Sequence, residues 1–254
     1  MKNPRNLFKA ALSDGRHQLG IWNTIGGNVV PELLSGAGFD WVLVDCEHSA
    51  IETVEVLPAL QSIAAQSDVS AVVRPATNDD VLIKRLLDMG AQTLLLPYIE
   101  TVEEAERAVC AMHYGPKGRR GMAGMTRATR YGQVENYFTT AEEELCLLLQ
   151  IETVRGLSNI DAIAATEGVD AIFFGPADLS ASMGLSGQVT HPDVTGGIMR
   201  AGAKLSAKGV PWGTMMLDPA LAREFISAGC SYTAVGVDMV LLANAVHALR
   251  QEFE

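Results

Sequence analysis

The sequence predicts an α/β protein folded as a single (β/α)₈ TIM barrel across residues 1–254. Three features point there: eight short aliphatic runs alternate with eight segments of helical period, the runs are apolar on both faces, and several helical segments stop at a glycine just before the next run. Strands apolar on both faces suit a parallel sheet covered by helices, whereas a half-exposed antiparallel sheet alternates. Glycine ends helices because it accepts positive φ without penalty. Eight strand–helix units in about 250 residues match a closed barrel better than an open doubly wound sheet, which has fewer strands and a reversal in their order.

In chain order, HQLGIW (17–22) leads into helical segment 29–37, WVLVDC (41–46) into 53–65, SAVVRP (70–75) into 79–89, and TLLLPYI (93–99) into 103–112. CLLLQIE (146–152) is followed by 154–164, AIFFGP (171–176) by 191–208, PWGTMML (211–217) by 219–228, and YTAVGVD (232–238) by 239–253. Gly36, Gly90, Gly168, Gly209 and Gly229 are the stops. One stretch breaks the rhythm, the Gly-, Arg- and Met-rich segment 114–145. Loops this long in compact domains are commonly functional.

Composition narrows the function class. With 48% hydrophobic and 19% charged residues the chain reads as an ordinary globular protein. A net charge of −11 disfavours nucleic-acid binding, which draws on clustered Lys and Arg. The one basic cluster, 117–120 with Arg127 and Arg130, suits a solvated loop or a small anionic substrate. Cys46, Cys110, Cys146 and Cys230 lack any C-x-x-C spacing and read as free thiols in a reducing compartment. The N-terminal segment MKNPRNLFKAAL is no signal peptide, and no run reaches membrane-spanning length, so the expectation is a soluble cytoplasmic protein without membrane partners.

Catalytic groups of a barrel sit at the carboxyl ends of its strands. There the sequence places Asp45-Cys46-Glu47-His48, Arg74-Pro75, Gln150-Ile151-Glu152-Thr153 and Gly175-Pro176-Ala177-Asp178. Glu152 and Asp178, carboxylates from different strands, form the oxygen set that a hard ion such as Mg²⁺ or Mn²⁺ takes while leaving room for water and substrate. Either alone also fits an N-cap or an ion pair. His48 suits a base near neutral pH, oriented by Asp45 or Glu47. Arg74 offers a positive fork to an enolate oxygen or a carboxylate, and a salt bridge to Asp45 or Glu47 is compatible with that role.

His17, His113, His191 and His247 have no such company and read as structural, and alternation turns Cys46 away from Asp45 as a packed thiol. Imine chemistry needs a lysine on a barrel strand, yet Lys2, Lys9, Lys84, Lys117, Lys204 and Lys208 all fall in the N-terminal segment, helices or loops. A metal acting as Lewis acid is the alternative way to hold enolate charge.

VDCEHS, VVRP, KRLLDMGAQTLLLPYIET, LLQIET and GPADLSASMG, in that order, with RRGMAGMTRATRYG and AVGVD, resemble the HpcH/HpaI aldolase family over essentially the whole chain. The resemblance implies a class II pyruvate aldolase, a carbon–carbon lyase that joins or releases pyruvate, or a close 2-oxo acid, and an aldehyde through an enolate. It implies a divalent metal (Mg²⁺, Mn²⁺ or Co²⁺) on Glu152 and Asp178, and no organic cofactor. Arg74 would stabilise the enolate oxygen, His48 paired with Asp45 would move the proton, Gln150 would support the site, and the backbone of Gly175, Pro176 and Ala177 would receive the substrate carboxylate. Asp88 resembles a residue contributed across a subunit interface, and a hexamer, two trimers paired by exchange of the terminal helix, is implied. Arg127 matches a position that would bind the acceptor, while Met125 and Thr126 depart from the family pattern. Rival readings are an acyl-CoA lyase of the citrate and malyl-CoA type, an oxaloacetate decarboxylase, and a non-catalytic ligand-binding barrel.

Overall fold

The eight aliphatic runs become eight parallel strands: β1 (Gln18–Asn23), β2 (Trp41–Asp45), β3 (Ser70–Arg74), β4 (Thr93–Leu96), β5 (Cys146–Ile151), β6 (Ala171–Phe174), β7 (Trp212–Met215) and β8 (Tyr232–Val237). In the computed structural model, which describes residues 1–253, each strand pairs with the next and β8 pairs with β1 to close the barrel. Both faces are apolar because each faces a core. Alternate residues such as Trp22, Trp41, Leu43, Val72, Leu95, Leu148, Phe173 and Tyr232 fill the interior, and the residues between them pack against the surrounding helices.

Bulky rings need space conceded elsewhere in the same layer. Trp41 is fully buried, and its indole occupies the volume that a β-carbon on Gly20 of β1 would need. That close approach is why the strand carries glycine despite its entropic cost.

Three segments depart from expectation. Leu7–Ser13 forms a helix that the sequence pattern left unassigned. The Asn6 side chain caps it by accepting from the Lys9 N–H at 3.0 Å, and Phe8 plugs the amino-terminal mouth with its ring edge-on to Trp41 and Tyr232 at centroid distances of 5.9 and 5.3 Å. The expected helix 154–164 breaks at Asn159 into Val154–Ser158 and Ile160–Ile163. Pro176–Ser182 is also helical, opened by Pro176 in the first turn, where its missing N–H costs nothing. Within 114–145 the regular structure is Tyr137–Thr140 and the 3₁₀ turn Ala141–Glu144.

The last helix, Asp238–Gln251, stands apart from the others. Only Asp238 of it is buried, and Leu241, Leu242, Val246 and Leu249 are each more than half exposed. Asp238 ties its first turn to the barrel by accepting from Asn23 Nδ2 at 2.8 Å and from the backbone N–H of Thr24 and Ile25. Among the described residues no helix is long and apolar enough to cross a membrane, and the four cysteines are free.

Candidate active site

The register of β2 against β3 sets Asp45 directly opposite Arg74, both pointing inward at the carboxyl end of the barrel. Arg74 Nε and Nη2 donate to Asp45 Oδ1 and Oδ2 at 2.8 and 2.6 Å, a bidentate pair that fixes the guanidinium plane. The indole Nε1 of Trp22, one layer below on β1, donates to Asp45 Oδ2 at 3.2 Å, and its ring centroid lies 5.2 Å from Arg74 Cζ. Asp45 Oδ1 also accepts from the N–H groups of Glu47 at 3.0 Å and His48 at 3.4 Å, curling the chain after β2 over the rim. The remaining fork of Arg74, Nη1, faces Glu47 Oε2 at 3.0 Å and donates to Gln150 Oε1 at 3.4 Å.

Strand alternation presents Gln150 and Glu152 together and sends Ile151 into the outer core. Gln150 Nε2 donates to Glu152 Oε2, and the Tyr98 N–H donates to Glu152 Oε1 at 2.8 Å. Tyr98 adopts φ 58, left-handed backbone that an L residue enters at a cost, which aims that N–H at the carboxylate. Opposite Glu152 the chain passes Gly175, where a β-carbon would lie 2.5 Å from Glu152 Oε2. Asp178 follows in the first turn of Pro176–Ser182, a turn with no side-chain cap, and its Oδ2 lies 3.7 Å from His48 Nε2.

Electrostatics divides the acids into two kinds. Burial alone would raise Asp45, yet the hydrogen bonds and charge of Arg74 and the two N–H donors hold its carboxyl below the ordinary range. Burial would lower Arg74, and Asp45 and Glu47 raise it. Glu47 is pushed up to about 7, chiefly by burial; Arg74 opposes the rise while Asp45 and Asp178 add to it. Glu152 is likewise pushed up to about 7 by burial, against the Gln150 hydrogen bond and with the help of the Glu47 charge. Oε2 of Glu47 is buried and accepts no hydrogen bond. Cys46 points into the outer core and burial pushes its thiol up to about 12, the opposite of a nucleophile's shift.

The structure therefore gathers Asp45, His48, Arg74, Gln150, Glu152, Gly175, Pro176, Ala177 and Asp178 on one rim. Two expectations need correction. The His48 ring does not meet Asp45, whose oxygens are committed to Arg74; it lies 3.9 Å from Glu47 and 3.7 Å from Asp178, and Asp45 reaches only its backbone. Arg127 is not on the rim of its own barrel. It donates to the carbonyls of Met89 at 2.9 Å and Leu60 at 3.4 Å, at the carboxyl ends of two helices where a cation is favoured. Asp88, expected to act across a subunit interface, ends helix Asp80–Asp88 away from its own rim and pairs with buried Arg120 at 2.9 Å. Trp22, Tyr98 and Glu47 as a full member of the cluster were not expected. The signal for Trp22 was its inward parity on β1, for Glu47 its place between Asp45 and His48; backbone φ at Tyr98 has no sequence signal.

Residues 18–245 match the model of the HpcH/HpaI aldolase/citrate lyase family. The chain is 51% identical to a pyruvate aldolase of Rhizobium etli, covering 100% of this chain and 99% of that protein. It is 47% identical to a hydroxypyruvate/pyruvate aldolase of Sagittula stellata, covering 100% of both. Among solved structures, an HpcH/HpaI aldolase/citrate lyase family protein of Burkholderia cenocepacia superimposes with a TM-score of 0.93 at 37% identity, over 98% of this chain and 99% of that one. Barrel, rim and full-length similarity agree: the chain belongs to the HpcH/HpaI aldolase/citrate lyase family and is a carbon–carbon lyase.

Proposed function

We propose that the chain is a class II pyruvate aldolase that makes or breaks the C3–C4 bond of 4-hydroxy-2-oxo acids, with pyruvate or a close 2-oxo acid as the enolate partner. The observation that carries this reading is the buried guanidinium of Arg74, pinned in one plane by Asp45 beside the carboxylates of Glu47 and Glu152. The relatives named for pyruvate and hydroxypyruvate support the choice of 2-oxo acid.

The donor set fits a divalent cation. Glu152 and Asp178 offer hard oxygen ligands, burial leaves Glu152 short of compensating positive charge, and the glycine at 175 lets the Glu152 carboxylate lie against the backbone where a β-carbon would collide with it. Among the described residues no group of three or more His, Cys, Asp or Glu is arranged to hold a metal. With Glu152 and Asp178 as its protein ligands, a cation would leave its other positions to water and substrate. When bound there, Mg²⁺, Mn²⁺ or Co²⁺ would polarise the 2-oxo acid as a Lewis acid.

The protein's own groups supply the rest. Nη1 of Arg74, the fork not spent on Asp45, faces the rim where enolate charge develops, and its rigidity means little reorganisation as that charge appears. His48, with its side chain 61% exposed, stands at the mouth where Nε2 can take the proton of the 4-hydroxyl group and return it. The N–H groups of the uncapped first turn after Gly175 suit the substrate carboxylate.

We also propose that copies assemble into a hexamer in which the exposed terminal helix packs on a neighbouring barrel; its unburied Leu241, Leu242, Val246 and Leu249 support this. Asp88 would then serve a neighbour's site, in keeping with its place away from its own. The test of the activity is deuterium exchange at the pyruvate methyl group in D₂O, with chelated protein and after metal is restored. Exchange that requires metal is the expected result; no exchange with any of the three metals refutes the reading.

A further inference from the structure

Opposite the catalytic rim, at the amino-terminal end of the barrel, lies a cavity of about 260 Å³. Its walls are the first residues of β3 and β4, the segment that precedes helix Leu7–Ser13, and part of the loop 114–145. Arg5, Arg127 and Arg130 all line it, and no aspartate or glutamate does. In a chain of net charge −11 this wall concentrates positive charge with no carboxylate among its lining residues. We propose that this cavity binds a small multivalent oxyanion, a di- or tricarboxylate or a phosphate, independently of the catalytic rim.

The gathering of three arginines without a carboxylate partner in one wall supports the assignment. Arg16, Arg74, Arg119, Arg120 and Arg155 each face a carboxylate within ion-pair distance, while Arg85, Arg107, Arg200 and Arg223, without a carboxylate partner among the described residues, stand singly rather than gathered in one cavity. Arg5, Arg127 and Arg130 have no carboxylate partner among the described residues, and only Arg127 has a side-chain hydrogen bond, to two carbonyls. Those carbonyls end helices and orient the guanidinium without neutralising it. Arg127 is held below the ordinary arginine value, first by burial and then by the charge of Arg130. Two cations therefore share a partly dehydrated wall, an arrangement that costs free energy until a counter-charge arrives.

Backbone conformation and volume add to this. Arg130 sits at φ 50 and its neighbour Tyr131 at φ 56, left-handed positions for residues with side chains, which is strain of the sort that persists where a side chain must be held in place. Gln66 and Ser70, also in the wall, add neutral hydrogen-bond donors. The volume is below the range of drug-sized ligand pockets, which runs from roughly 300 Å³ upward, and suits a small ion. Guanidinium forks recognise carboxylate and phosphate oxygens in pairs, so both are one recognition chemistry.

The test is calorimetric titration of the full-length protein with inorganic phosphate and, separately, with succinate, at constant ionic strength set by chloride. Saturable binding of at least one of these ions is expected, and whichever binds tighter identifies the ligand's side of the class. Arg130→Gln and Arg5→Gln should each weaken that binding at least tenfold while leaving the rate of metal-dependent pyruvate exchange and the circular dichroism unchanged. Absence of saturable binding of both ions overturns the proposal. So does binding that survives both substitutions, or that is abolished by Arg74→Gln instead, since the ion would then sit on the catalytic rim.

Discussion

Replacing Glu152 by Gln should flatten the response of the metal-free protein to pH as it rises from 5 to 8. The Glu152 carboxyl is pushed from an ordinary 4.5 to about 7 by burial, so the folded protein binds its proton more tightly than the unfolded chain. Stability is then unpenalised at pH values below the unfolded pKa and falls as pH rises through the window from 4.5 to 7. At about 1.4 kcal/mol per pH unit, a shift of this size costs about 3 kcal/mol at pH 8 and less than about 1 kcal/mol at pH 5. Gln keeps an acceptor for the Tyr98 N–H and carries no charge, so this slope disappears, while Glu47 titrates in both proteins and largely cancels. Urea unfolding in chelator at pH 5, 6, 7 and 8 reads the difference: the wild type should lose about 2 kcal/mol more than the variant across that range. Mg²⁺ at pH 8 should stabilise the wild type and not Glu152→Gln. Parallel pH profiles would show that burial does not penalise this carboxylate, and the reasoning that it awaits a cation would fall with them.

Asp45→Ala strips the partner from a guanidinium only 6% exposed and should cost about 3–5 kcal/mol in chemical unfolding, with Arg74→Met on top recovering part of it. Because Asp45 titrates below the ordinary range, its contribution is present above the unfolded carboxylate value and is lost as pH falls through its own lower one, visible as acid unfolding. Gly20→Ala drives a methyl into the Trp41 indole and should destabilise by about 3 kcal/mol or more, read as a lowered Tm. His48→Ala should slow pyruvate exchange by about 10²–10⁴-fold and leave metal affinity measured by calorimetry nearly unchanged. Leu242→Glu with Val246→Glu puts charge on the exposed terminal helix and should shift the mass in light scattering to a smaller species.

The strands were legible because each is a short run apolar on both faces, and the rim because parity and strand ends locate Asp45, Arg74, Gln150 and Glu152 without coordinates. Helix Leu7–Ser13 was not legible. Two turns carry too little periodicity, and its reason for folding is the aromatic cage around Phe8, which is a tertiary fact. The break at Asn159 was hidden because the apolar spacing runs through it. At the site, partner choice was the unreadable part. Asp45 stood as near His48 as Arg74 in any reading of the chain, and only the β2–β3 register shows that the bidentate guanidinium takes both oxygens. Arg127 followed family pattern, yet loop trajectory carries it under the barrel.

The aromatic plug at Phe8 makes the barrel a blind well. Phe8 closes the floor, the packed rings of Trp41, Tyr232, Trp22 and Phe173 fill the shaft, and the reacting groups sit at the one open mouth. Anything cleaved there must leave by the doorway through which it entered. On the pyruvate chemistry proposed above, an aldehyde released above a 2-oxo acid held at Arg74 would depart first, and in synthesis the 2-oxo acid would arrive first. On that chemistry, architecture would order the traffic before any affinity is considered, and a proton passing to or from bulk water would use the same entrance.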